Sequence, residues 1–276
     1  MTDSPSPLRR DPLPLRGRRM LVTGVSRRDG IGHAVACRLA AYGADVFCHH
    51  HSPHDADQPY GADDLGAVLA SVASHAIPGA RVEDLGADLT VTGAPDRVVD
   101  AAVETFGGLD GLVCNQALNG SDGGLGELTE QLLDRHWAVD ARASILLAQR
   151  FLHHHRDGRD ASIVFMTSGQ GQGPLTGEIA YGAAKAALAG ITTTIAAQVA
   201  PTGIRVNTVN PGPVDTGYMT PQLWSQVASM FPRGRFGEPD DPARLIAWLT
   251  TPEAEWITGQ VLHTEGGFAR WRTAEE

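Results

Sequence analysis

The stretch SGQGQGPLTGEIAYGAAK, Ser168 to Lys185, decides how the rest of the chain is read. The apolar run before it, Ala161–Thr167 (ASIVFMT), predicts a short buried strand. The segment from Glu178 to Ala200 is rich in Ala, Leu and Ile and holds no proline, which predicts a long helix. Tyr181 and Lys185 lie four residues apart and so share one helical face, while Ser168 stands where strand gives way to a glycine-rich loop. In an open α/β sheet that edge is where ligands bind. A free tyrosine, with a pKa of about 10, is a poor acid or base near neutrality. An ammonium one turn away favours the phenolate and brings the group toward useful acid–base chemistry. A serine hydroxyl beside them can hold a substrate oxygen. A Y-x-x-x-K spacing is by itself a weak signal, and an ordinary surface helix can carry it.

Working outward, Arg19–Thr23 (RMLVT) predicts a first strand, followed by Gly24, Gly30 and Gly32 and a helix over Ile31–Tyr42. Strand, glycine turn and helix form the context in which such glycines signal dinucleotide binding: the backbone can approach a pyrophosphate, and the helix N-terminus offers free N–H groups. A second strand, Ala44–His49, ends in His49-His50-His51. No acid stands at His50 or His51 to meet a ribose 2′-hydroxyl, and Arg27 and Arg28 sit in the glycine loop; this favours NADP(H), with NAD(H) as the alternative. Three consecutive strand histidines point to alternate faces, so no metal site is read there or at His153–His155. Pro53–Gly61 reads as a polar loop. Helices are expected over Asp63–His75, Asp96–Phe106, Leu128–His155 (in one or two pieces), Thr220–Phe231 and Asp241–Thr250. Further strands are expected at Arg81–Leu85, Gly111–Cys114, Gly203–Val209 and Gly259–Thr264. Strands alternate with helices throughout, which argues for one Rossmann-type α/β domain with a doubly wound parallel sheet of about seven strands.

The 276 residues suffice for one sizeable domain, expected over 19–276 behind a flexible tail over 1–18. A formal charge of −10 without a basic run excludes a nucleic-acid footprint. No apolar run is expected to reach the ~20 residues of a membrane span, and the first residues carry no secretory pattern. Cys37, Cys48 and Cys114 lie in apolar segments without metal spacing, which fits buried thiols in the cytoplasm.

Taken in order, Thr23-Gly24 with Gly30-Ile31-Gly32, Asp88-Leu89, Asn115-x-Ala117, Ser168, Tyr181-x-x-x-Lys185, Asn210-Pro211-Gly212 with Thr216, and Ile257–Gln260 through Gly266-Gly267 mark a resemblance. From Arg19 to Phe268 the chain resembles the short-chain dehydrogenase/reductase family, in its single-domain branch that includes 3-oxoacyl-carrier-protein reductases. The resemblance implies that the glycine turn and Ser26 hold the cofactor phosphates, with Arg27, Arg28 and His51 nearby. Asp88 and Leu89 would flank the adenine, Asn115 would lie beneath the ribose, and Thr216 would touch the carboxamide or phosphates. Ile31, Ala117, Pro211, Gly212 and Val214 complete the cofactor set. Ser168 would bind the substrate carbonyl, Tyr181 would protonate it, and Lys185 would hold the ribose and lower the Tyr181 pKa. Gln170 would face the substrate. A lid over 216–236, with Tyr218, Met219, Leu223 and Trp224, would close on it. A homodimer or homotetramer is implied.

The chain departs from the family pattern in three places: five residues separate Gly24 from Gly30 where three are usual, Ala117 replaces a glycine, and Asp140 stands where the family places an asparagine. A carboxylate there accepts hydrogen bonds but cannot donate, and near Lys185 it would offset the charge that favours the tyrosinate. The leading expectation is an NADP(H)-dependent oxidoreductase that reduces a ketone, or oxidises a secondary alcohol, by hydride transfer, whose small substrate is free or carrier-bound, with Arg233, Arg235, Arg270 and Arg272 as candidate docking groups. The alternatives are a non-redox enzyme of the same fold (dehydratase, cyclase or epimerase) and a cofactor-binding protein.

Overall fold

A computed structural model describes residues 10–120, 122–156 and 158–269. The seven strands are β1 (Arg19–Thr23), β2 (Asp45–His50), β3 (Val82–Gly86), β4 (Gly111–Cys114), β5 (Ala161–Met166), β6 (Ile204–Asn210) and β7 (Val261–His263). They form one parallel sheet in the order β3-β2-β1-β4-β5-β6-β7, so the strand order reverses between β1 and β4. That reversal leaves a crevice outside the strands' carboxyl ends. Side chains alternate across the sheet: Met20 and Val22 enter one core, Leu21 the other. On the first face lie α1 (Ile31–Ala41), α3 (Leu65–Ser74) and α9 (Asp240–Leu249). On the second lie α4 (Ala94–Phe106), α6 (Ala143–His154) and α7 (Ile179–Val199). Short α2 (Ser52–Ala56), α5 (Glu130–His136) and α8 (Pro221–Val227) complete the helices.

Local chemistry sets the ends of these elements. Asp64 caps α3, its carboxylate accepting from the Gly66 N–H at 2.9 Å. α4 starts with Pro95 in its first turn and stops at Gly107, whose φ of 77° suits a residue without Cβ. α5 and α6 are one continuous rod from Glu130 to His154 that widens into a π turn over Trp137–Arg142, so the helical run expected over Leu128–His155 is unbroken and starts two residues later. Such wider turns gather at functional sites, and Asp140 lies within this one.

Three expectations need correction. Residues 53–61 are not all loop, because α2 occupies Ser52–Ala56, with Pro53 in its first turn where a proline is tolerated. The flexible tail does not reach residue 18. Leu15 is fully buried in the first core, its N–H donates to the Tyr42 carbonyl at 3.0 Å, and Arg18 pairs with Asp160 at 2.9 Å; residues 1–9 lie outside the described ones. Finally, the stretch Ile179–Thr202 is long and apolar enough to cross a membrane by length and composition. Here it packs on β6 and presents Tyr181 to the cleft with Lys185 buried behind it, its apolarity coming largely from alanines.

Asp110 anchors the amino ends of the strands. It is fully buried and paired with Arg19 at 2.9 Å and Arg159 at 2.6 Å. Burial alone would push its carboxyl up, but the hydrogen bonds and charge of Arg19 hold it below the usual range.

Candidate active site

The carboxyl ends of the strands open into one cleft of about 1290 Å³. Its first half is built by the glycine turn. Gly24 has φ 74°, and a Cβ on it would stand 2.9 Å from the Asn115 Nδ2 atom. A Cβ on Gly32 would meet the Gly24 carbonyl oxygen at 2.3 Å. Only glycine lets turn, helix and the end of β4 come this close. Asn115 Nδ2 fixes the turn by donating to the carbonyls of Thr23 (3.1 Å) and Gly24 (3.2 Å). Gly30 begins α1 with no side-chain cap, and Gly30 and Ile31 line the cleft, so the first N–H groups of the helix face it. An uncapped helix start beside a glycine cradle fits a dinucleotide pyrophosphate. Ser26, Arg27, His51, Asp88, Leu89, Ala117, Pro211, Gly212, Val214 and Thr216 line the same cleft. Gly32 serves packing rather than lining.

The two arginines part company. Arg27 donates to the Thr216 carbonyl at 2.9 Å, lies 3.5 Å from an Asp55 carboxylate oxygen and stacks on the Tyr60 ring at 3.7 Å. Arg28 turns outward into a two-pronged pair with Asp63, at 2.7 and 2.9 Å, and does not reach the cleft. Of the two candidate phosphate contacts, Arg27 alone lines the cleft. Of the strand histidines, His49 is buried, bonds the Ala87 carbonyl at 2.9 Å and is pushed down to about 4 by burial, while His50 pairs with Asp84 at 3.1 Å. Only His49 and His51 line the cleft.

In the second half, Ser168 follows β5 and Tyr181 rises from the first turn of α7. Asp122 caps that helix from a distant loop, its carboxylate accepting the N–H groups of Ala180 at 3.1 Å and Tyr181 at 2.8 Å. The start of α7, and with it the phenol, is thereby pinned. Lys185 is 2% exposed, with its Nζ 5.6 Å from the centre of the Tyr181 ring. It also lies 3.5 Å from the Gln116 carbonyl and 3.5 Å from Asp140 Oδ1. Burial pushes the Tyr181 phenol well up, the Asp140 carboxylate pushes it further, and hydrogen bonding to Ser168 opposes both. With burial the largest cause, the phenol stands above its usual range rather than below it. Asp140 is fully buried, takes the Leu118 N–H at 3.0 Å and also faces His136 Nδ1 at 3.1 Å.

The substrate side differs from expectation. Tyr218 lines the cleft, but Met219, Leu223 and Trp224 do not. Trp224 packs on Phe231 and Phe236 at 5.7 and 6.1 Å, so the aromatic face of the lid segment is used on itself. Gln170 also turns away, donating to Thr167 Oγ1 at 2.9 Å. In their place stand Leu118, Asp122, His136, Leu175, Glu178 and Phe268. Of these, His136 had a sequence signal, since it lies one helical turn before Asp140. Of the candidate docking arginines, Arg235 is paired with Asp241 at 2.6 Å and Arg233 borders a separate small cavity; Arg270 and Arg272 lie outside the described residues. Among the described residues no group of three or more His, Cys, Asp or Glu could hold a metal ion, and Cys37, Cys48 and Cys114 are buried free thiols.

With this geometry in hand, the comparisons fall into line. Residues 24–269 match the family model described as enoyl-(acyl carrier protein) reductase. The chain is 38% identical over 252 residues to the uncharacterized oxidoreductase YjdA of Bacillus subtilis, covering 91% of this chain and 96% of that one. A short-chain dehydrogenase from Burkholderia cenocepacia in complex with NADP superposes with a TM-score of 0.79 at 36% identity, covering 92% of this chain and 98% of that one. An angucycline C-6 ketoreductase with bound NADP gives 0.80 at 31% identity, over 92% and 96%. The chain belongs to the short-chain dehydrogenase/reductase family and is an oxidoreductase.

Proposed function

We propose that this enzyme reduces a ketone, or oxidises the corresponding secondary alcohol, with NADP(H) and with Tyr181 as the general acid and base. One observation carries the reading: Tyr181, with the buried Lys185 ammonium 5.6 Å from the centre of its ring, lines the same cleft as the uncapped glycine turn. When bound, the nicotinamide nucleotide supplies or accepts the hydride. The chain's own residues do the rest. Gly24, Gly30 and Ile31 receive the phosphates, and Asp88 and Leu89 flank the adenine. Ser168 orients the carbonyl and, with Tyr181, donates hydrogen bonds to its oxygen as charge develops there. A phenol pushed up by burial holds its proton until that moment, which suits it to act as the acid in reduction.

NADP(H) is favoured because Arg27 and His51 line the cleft and no acid ends β2. Two relatives of known structure are described with NADP. The relatives named above are oxidoreductases or reductases by description, and nothing in the geometry favours a non-redox reaction. The lining offered by Leu118, Leu175, Tyr218 and Phe268 suits an uncharged carbonyl compound with apolar bulk. The resemblance also carries the proposal of a homodimer or homotetramer, which light scattering tests. The direct test of the chemistry is Tyr181→Phe assayed by NADPH consumption over a panel of aryl and alicyclic ketones. Loss of turnover by about a hundredfold or more is expected for removal of a general acid. Retention of most of the activity refutes the assignment.

A further inference from the structure

Behind Tyr181 lies a buried ionic chain that the reductase chemistry above leaves without a role. His136, the last residue of α5, and Asp140, in the π turn, stand four residues apart on one helical face. His136 Nδ1 is 3.1 Å from Asp140 Oδ2, and Asp140 Oδ1 is 3.5 Å from Lys185 Nζ. The side chains are 0%, 0% and 2% exposed. An ionised carboxylate only accepts, so His136 Nδ1 carries the hydrogen of their bond and Nε2 is the free ring nitrogen. That Nε2 is buried and has no hydrogen-bond partner among the described residues. The ring meets Tyr181 edge-on, with centroids 6.2 Å apart.

We propose that His136 acts through Asp140 as a positioning residue, setting the charge that Lys185 presents to Tyr181. One carboxylate serves two cationic groups. With His136 neutral, Asp140 and Lys185 cancel. With a proton on His136 Nε2, the cluster carries one net positive charge beside the phenol. The other ionisable groups facing His136 are Asp122, in the loop after β4, and Glu178, at the start of α7, together with Tyr181 and Lys185 on α7.

The inference rests on the reductase reading for its consequence. In reduction the Tyr181 O–H bond breaks, a new O–H bond forms on the substrate oxygen, and the electron pair stays on the phenolate. The His136 proton does not move. It lowers the energy of the phenolate left behind, so reductive turnover rises as pH falls through the His136 titration.

The test has two arms. In the first, histidine ring resonances of the full chain are followed against pH by NMR, with His136 assigned from its loss in His136→Asn. Lys185→Met should raise the His136 midpoint, and Asp140→Asn should lower it, each by about one pH unit or more. In the second arm, kcat and KM are measured against pH. His136→Asn keeps an amide N–H for Asp140 but cannot titrate. It should leave KM within about twofold, lose the acid limb of kcat, and turn over about tenfold more slowly one unit below the wild-type midpoint. If His136→Asn does not fold, the Lys185→Met arm reads the coupling without it, with assignment from His136→Gln. A ring that does not titrate between about pH 5 and 9, or that ignores Lys185→Met, overturns the proposal. So does an unchanged kcat profile in His136→Asn. Turnover retained in Tyr181→Phe would instead refute the reductase reading and leave the NMR arm standing.

Discussion

His49 makes the fold sensitive to acid, and the size of the effect follows from its surroundings. The imidazole is 1% exposed at the end of β2, between the glycine turn and the adenine side of the cleft. Nε2 bonds the Ala87 carbonyl at 2.9 Å, while Nδ1 is buried without a hydrogen-bond partner among the described residues. Burial moves the group from 6.5 down to about 4. Between those values the unfolded chain takes up a proton that the folded chain refuses, so stability falls as pH is lowered. The gap of about 2.5 units corresponds to about 3 kcal/mol when fully developed below pH 4, and about 2 kcal/mol at pH 5. The perturbation is His49→Val, which keeps a strand-forming residue and removes the titration. Urea unfolding followed by circular dichroism at about pH 7.5 and 5 gives the stability of both proteins. The variant is expected to be less stable at the upper pH, since the bond to Ala87 is gone. Its loss on acidification should be smaller than that of the wild type by about 2 kcal/mol. His33, also held below its usual range by burial, titrates in both proteins and cancels in the difference. Equal losses in the two proteins would refute the reasoning.

Asp110→Asn leaves Arg19 and Arg159 facing a neutral amide at a fully buried position, and should destabilise the fold by about 3 kcal/mol or more in urea unfolding. Arg27→Ala should weaken NADPH binding about tenfold, with little change for NADH, in a fluorescence titration; equal losses for both would place the 2′-phosphate elsewhere.

Much of this molecule can be read from its residues because its elements obey two clear periods. Strands such as ASIVFM, buried along their length, and the glycine turn after RMLVT announce a parallel sheet with a nucleotide crevice. The trio Ser168, Tyr181 and Lys185 is a weak signal by spacing and becomes legible through the glycine turn and the other motifs around it. The residues that escaped were placed by tertiary contact. Asp122 reaches α7 from a loop far away in sequence, and no local pattern marks a cap supplied that way. Leu175 and Phe268 reach the cleft by chain reversal. Trp224 and Leu223 looked like a substrate lid because apolar residues in a loop read alike whether they face a ligand or one another. The segment before β1 looked loose because its composition is polar and proline-rich, yet one leucine at position 15 suffices to tether it.

The Arg27 guanidinium spans the mouth of the cleft, joined on one side to the Thr216 backbone and resting on Tyr60. Were a phosphate to draw this cation inward, the Thr216 carbonyl would lose its partner. Loading of the nucleotide and freeing of the segment at Thr216 would then be a single event, with the second reactant following the first. Steady-state patterns should accordingly be those of an ordered sequence.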